Sequence, residues 1–201
     1  MKIKLCGMFR DCDIDFANEA KPDYIGFILG FPKSHRNIDR KTAQRLRSRL
    51  SPEIKAVGVF VNSPETTCAE YANCGIIDVI QLHGQEDADY IRRLHALTDA
   101  PIIKAAKIRT PEDIQNVQAL GADYVLLDNG TGTGEMFDHS LLDGAEISQP
   151  FFLAGGLTPD NLRNAAENIR PYCVDLSSGV ETDKLKDRDK MLAAVRIIRD
   201  L

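Results

Sequence analysis

Two stretches near the end of the chain decide its fold: Phe151-Phe152-Leu153-Ala154-Gly155-Gly156-Leu157-Thr158-Pro159 and Cys173-Val174-Asp175-Leu176-Ser177-Ser178-Gly179-Val180-Glu181. Each reads as a short apolar strand that runs directly into small residues. Glycines let the backbone approach an anion, serines add hydroxyl donors, and unpaired N–H groups in such a loop suit phosphate. Gly155, Gly156, Ser177, Ser178 and Gly179 are therefore the candidate phosphate cradle. Thr158-Pro159 opens a helix behind the first loop, with threonine as cap and proline at the first helical position. One such loop is equally an ordinary tight turn. Two in succession near a C-terminus suggest the phosphate grip of a (β/α)8 barrel.

Working back from there, apolar runs of strand type recur at Lys2–Cys6, Tyr24–Leu29, Ala56–Val61, Val79–Leu82, Ile102–Ala105, Tyr124–Leu127, Phe151–Leu153 and Cys173–Leu176. They start roughly 22 to 32 residues apart, with helical patterns between them. Ser63-Pro64-Glu65, Thr110-Pro111-Glu112 and Thr158-Pro159-Asp160 read as helix starts, Asp39 as the cap of the second helix, and Lys186-Asp187 as the approach to the last. Strict alternation of strand and helix gives a parallel sheet, and eight even units close as a TIM barrel rather than an open sheet. The unit after Leu127 is the exception: it carries the glycine-rich loop Asp128–Gly134 and leaves room for only a short helix near His139–Leu142. With no linker or low-complexity tract, residues 1–201 are expected to form one α/β domain.

The bulk properties narrow the partners. A net charge of −5 over 201 residues offers no basic footprint for nucleic acid. Met1–Gly7 turns polar too soon for a signal peptide, and no apolar run is long enough to span a bilayer. Five cysteines, an odd number without a CxxC pair, fit reduced thiols in a cytoplasmic protein. His35, His83, His95 and His139 are scattered, so no metal site is suggested.

In a barrel the active site lies at the C-terminal strand ends. Those ends supply Cys6, Arg36 (in the loop after the second strand), His83, Lys104 and Asp128. Cys6 and Asp128 can exchange protons across the mouth, and Arg36 can take a planar carboxylate by two hydrogen bonds. Each has a plainer reading. Cys6 can be a small core residue, Asp128 a turn cap, Arg36 a solvated charge, His83 a structural histidine and Lys104 an ion-pair partner.

Taken together the motifs resemble the phosphoribosylanthranilate isomerase family. The pieces are Lys4-Leu5-Cys6-Gly7, Ser34-His35-Arg36, Val57–Asn62, Gln81-Leu82-His83-Gly84, Asp128 with Gly132-Thr133-Gly134 and Phe137-Asp138, Leu153–Leu157, and Val174–Glu181 with Lys186-Asp187. They cover essentially the whole chain in order. Two features depart from the family pattern: His139 stands where an aromatic residue commonly follows the Phe-Asp pair, and the segment before Lys186-Asp187 lacks its usual glycine.

The resemblance implies an Amadori rearrangement of N-(5-phosphoribosyl)anthranilate in tryptophan biosynthesis. It implies Asp128 as general acid on the furanose ring oxygen and Cys6, as thiolate, as general base at the sugar C2. It further implies Arg36 on the anthranilate carboxylate, the two late loops on the phosphate, and His83 and Asp175 as mouth residues that touch the substrate or orient the acid and base. No cofactor or metal is called for, and the protein is expected to be a monomer or homodimer. The competing readings are an indole-glycerol-phosphate synthase-like lyase using Lys104, a sugar-phosphate epimerase, or a silent barrel that only binds phosphate.

Overall fold

The computed structural model describes residues 1–128, 139–142 and 147–201. The apolar runs form eight strands: β1 (Lys2–Cys6), β2 (Tyr24–Leu29), β3 (Lys55–Phe60), β4 (Val79–Leu82), β5 (Ile102–Lys107), β6 (Tyr124–Asp128), β7 (Phe151–Leu153) and β8 (Cys173–Leu176). Each pairs in parallel with the next, and β8 pairs with β1, so the sheet closes into a barrel. Among the described residues seven helices surround it: α1 (Asp11–Ala20), α2 (Arg40–Arg49), α3 (Glu65–Asn73), α4 (Ala88–His95), α5 (Pro111–Gln118), α6 (Pro159–Ile169) and α7 (Arg188–Arg199). Among the described residues between β6 and β7 is the 3-10 turn His139–Leu142, where the short helix was expected. The glycine-rich stretch 129–134 and the Phe137-Asp138 pair lie outside the described residues.

Local chemistry explains most boundaries. Thr110 and Thr158 form capping boxes with Pro111 and Pro159 at the first helical positions. Asp39 accepts the Thr42 N–H at 2.8 Å, and Asp187 accepts those of Asp189 and Lys190 at 3.0 and 3.1 Å. Helix α3 starts one residue later than Ser63-Pro64 suggests, because the Thr67 and Cys68 N–H groups reach back to the Pro64 carbonyl. Strand β3 is shifted back by one, since Asn62 already turns with a left-handed φ of 51°. Strand β5 runs on to Lys107 because β6 pairs with it that far.

The core has two layers. Ile3, Leu5, Leu46 and Ile91 are among the side chains packed between barrel and helices, whereas Val57, Val79, Ile103, Leu126 and Phe152 fill the lumen. The lower end is shut by aromatic rings. Tyr24 lies 5.7 Å from Phe152, Tyr124 stacks on Tyr172 at 5.3 Å, and Lys2 Nζ sits 5.0 Å over the Tyr172 ring. Among the described residues, no helix is long and apolar enough to cross a membrane.

Ile103 and Ala105 belong to the lumen. Alternation along a strand therefore turns Lys104 outward. Its Nζ donates to the Gly84 carbonyl at 2.7 Å and to Glu86 Oε2 at 2.8 Å, with both charged side chains almost wholly buried. Glu86 in turn accepts the N–H groups of Asn62 and Gly84 at 2.8 and 2.9 Å. The pair thus scaffolds the loops after β3 and β4. Lys104→Met should cost about 3–5 kcal/mol by stranding a buried carboxylate. The double variant Lys104→Met/Glu86→Gln should recover most of that loss, as measured by urea unfolding.

Candidate active site

A cavity of about 190 Å³ opens at the C-terminal ends of the strands. Cys6, His83, Asp128 and Asp175 line it, as do all five residues of the candidate phosphate cradle. Of the site residues expected from sequence, Arg36 and Lys104 are not in its wall. Lys104 faces a separate cleft of about 710 Å³.

Cys6 ends β1, and the β1–β2 register sets it opposite Gly26. A Cβ on Gly26 would fall 2.5 Å from the Cys6 sulfur, so glycine there makes room for the thiol. Two residues earlier on the same face is Lys4, wholly buried, whose Nζ donates to Asp175 Oδ2 at 2.8 Å. The register places Lys4 and Asp175 side by side on adjacent strands. Asp175 Oδ1 is buried without a hydrogen-bond partner among the described residues, and the residue faces the cavity. Burial works against the Lys4 charge, yet Asp175 and Cys6 outweigh it and hold the ammonium above its usual pKa. Burial pushes the Cys6 thiol up; Lys4 pulls it down, Asp175 pushes it up again, and the net shift is upward.

Across the mouth, Gln81 Nε2 lies 3.1 Å from His83 Nδ1, and His83 Nε2 lies 3.9 Å from Asp128 Oδ2. Burial lowers the His83 pKa more than Asp128 raises it, so the ring is neutral at physiological pH. Which of Gln81 and His83 donates in this contact depends on the imidazole tautomer.

The two late loops meet at the mouth. Gly155 and Gly156 take left-handed φ of 94° and 64°, and their N–H groups donate to no acceptor among the described residues. Asn161 braces the first loop from α6, its amide donating to the Gly156 carbonyl at 2.9 Å. Ser177 Oγ donates to the Cys6 carbonyl at 3.2 Å and so ties the second loop to β1. Ser178 and Gly179 begin a short 3-10 turn over residues Ser178–Val180, and a Cβ on Gly179 would overlap the Leu157 carbonyl oxygen. The loops therefore pack backbone to backbone.

Arg36 lies over Gly7, and it does not present a bare guanidinium. Its Nε and Nη2 donate to the two carboxylate oxygens of Glu181 at 2.7 and 2.6 Å. Five contributors were not singled out from sequence: Lys4, Gly26, Gln81, Glu181 and Lys186. Lys4 and Gln81 stand two residues before Cys6 and His83, a strand-period signal that points to them. Nothing in the sequence pairs Arg36 with Glu181.

A closed parallel barrel with a thiol, carboxylates, an imidazole and two glycine-serine loops at its C-terminal mouth defines a (β/α)8-barrel enzyme acting on a small molecule. The chain matches the family model for N-(5'-phosphoribosyl)anthranilate (PRA) isomerase over residues 3–196, and it belongs to that family. It is 44% identical to N-(5'-phosphoribosyl)anthranilate isomerase of Endomicrobium trichonymphae, covering 100% of this chain and 99% of the relative. The dimeric enzyme of Thermotoga maritima, solved as monomers, superposes with a TM-score of 0.85 at 32% identity over 100% of both chains. A further family structure, solved with reduced 1-(o-carboxyphenylamino)-1-deoxyribulose 5-phosphate, has a TM-score of 0.85 at 31% identity, again over 100% of both chains.

Gly179→Ala should force the two loops apart. Such overpacking costs about 1–3 kcal/mol of stability. Affinity for inorganic phosphate, measured by calorimetry, should fall about tenfold.

Proposed function

We propose that this chain isomerises N-(5-phosphoribosyl)anthranilate to 1-(2-carboxyphenylamino)-1-deoxyribulose 5-phosphate, a step of L-tryptophan biosynthesis. Family membership over nearly the full chain carries the reading, and the convergence of Cys6 and Asp128 on one cavity supports it. Residues 1–201 act as one barrel domain in the cytoplasm, as a monomer or a homodimer.

In the mechanism we propose, the two late loops grip the phosphate through Gly155, Gly156, Ser177, Ser178 and Gly179, while Arg36 takes the anthranilate carboxylate. Held at both ends, the ribose lies between acid and base, which supplies orientation before any bond changes. Asp128 gives a proton to the ring oxygen; the C1–O bond breaks and an iminium forms at C1. Cys6 as thiolate removes the C2 proton, and those electrons make the C1=C2 bond of an enolamine. Loss of the C2 hydroxyl proton and protonation at C1 then yield the ketone, with no net change in protons. His83, neutral and turned toward Asp128, stabilises the carboxylate left after donation. Asp175 Oδ1 accepts from a sugar hydroxyl. The ammonium of Lys4 favours the Cys6 thiolate against the cost of burial.

Cys6→Ala and Asp128→Asn should each lower kcat by about 10²–10⁴-fold, followed by the loss of substrate fluorescence with phosphoribosylanthranilate generated in situ. Wild-type protein that turns over none of it would end the isomerase reading.

Because the thiolate is the working form and burial raises the thiol pKa, kcat/KM should climb with pH through and beyond the ordinary thiol range, near about 8.5. Lys4→Met removes the nearest cation and leaves Asp175 bare, so this limb should move further alkaline in a kcat/KM–pH profile. A limb that stays in place would remove Lys4 from the activation of Cys6.

A further inference from the structure

Arg36, Glu181 and Lys186 form a chain of charges beside the cavity. Glu181 and Lys186 face one another across a hairpin, Glu181–Thr182 against Leu185–Lys186, in the connection from β8 to α7. Lys186 Nζ is fully buried and donates to Glu181 Oε1 at 2.6 Å and to the Ser177 carbonyl at 2.9 Å. Arg10 Nη2 holds the hairpin from the start of α1, donating to the Lys186 carbonyl at 2.9 Å. Burial opposes the Glu181 charge, but Arg36 and Lys186 overcome it and bring the carboxyl down to about 2. Glu181 is thus an anion at every working pH, clamped on the Nε–Nη2 edge of Arg36. The Nη1 edge donates to no acceptor among the described residues.

A guanidinium has five N–H donors and can serve one carboxylate on each of two edges. Charge balance agrees: Arg36 and Lys186 carry two positive charges, matched by Glu181 and one incoming carboxylate. An arginine whose torsions are fixed before the ligand arrives loses less freedom on binding. We propose that Glu181 is a positioning residue that holds Arg36 by one edge so that the Nη1 edge meets the ring carboxylate of the substrate. Through Lys186 and Ser177 it also ties that end of the substrate to the phosphate loop. The inference rests on the role of Arg36 given under the proposed function.

The test is a ratio of affinities. Calorimetry would compare reduced 1-(o-carboxyphenylamino)-1-deoxyribulose 5-phosphate with its counterpart lacking the ring carboxylate. Wild type should prefer the carboxylate ligand strongly. Glu181→Gln should cut that preference about tenfold while leaving the other ligand's affinity nearly unchanged, and Glu181→Asp should recover part of it. Should Glu181→Gln fold poorly, Glu181→Gln/Lys186→Met removes both buried charges together and should show the same lost preference. Equal weakening of both ligands would mark Glu181 as structural only. A larger preference would mark it as a competitor for Arg36, and an unchanged one would leave it without a role; each overturns the proposal. A wild type with no preference would instead overturn the role of Arg36 itself, and the inference would fall with it.

Discussion

The ion pair between Lys4 and Asp175 is the interaction on which the mouth of this barrel depends. It sits where the sheet closes, between the first strand and the last, and the register sets the two residues side by side. Neither charge is tolerable there alone, since an isolated buried ion costs several kcal/mol. Each therefore fixes the other, and together they pin the seam of the ring. The same pair sets the electrostatics above it. The ammonium works on the Cys6 thiol, while the second carboxylate oxygen is buried with no hydrogen-bond partner among the described residues. Structure and chemistry share a single contact.

Buried charge is used elsewhere as well, and for different ends. Lys104 and Glu86 lie outside the barrel wall and organise the backbone of two neighbouring loops. Arg36, Glu181 and Lys186 lie at the rim and join the second strand's loop to the last hairpin. The first set keeps its hydrogen-bonding capacity within the protein. In the second, the Nη1 edge of Arg36 donates to no acceptor among the described residues.

Much of this was legible in the sequence because parallel strands covered on both faces read as continuous apolar runs. Lys2–Cys6, Tyr24–Leu29, Val79–Leu82, Phe151–Leu153 and Cys173–Leu176 match the strands without adjustment. The caps at Thr110, Thr158 and Asp39 were equally readable, since capping depends on a few adjacent residues. Where tertiary contacts decide, the sequence is silent. Pairing with β6 prolongs β5 to Lys107. Lys104 looked open to a catalytic role until alternation with Ile103 and Ala105 turned it outward. Arg36 and Glu181 are 145 positions apart, and only the folded chain brings them together.

The aromatic floor has its own consequence. Tyr24, Tyr124, Phe152 and Tyr172 close the lower end, with Lys2 laid over two of their rings. Among the described residues the packed base leaves the mouth as the way in, so product leaves by the route substrate takes. The two can never occupy it at once. Product is then an obligatory competitor of substrate, and the speed at which it vacates the mouth sets a ceiling on turnover whatever the rate of the chemistry inside.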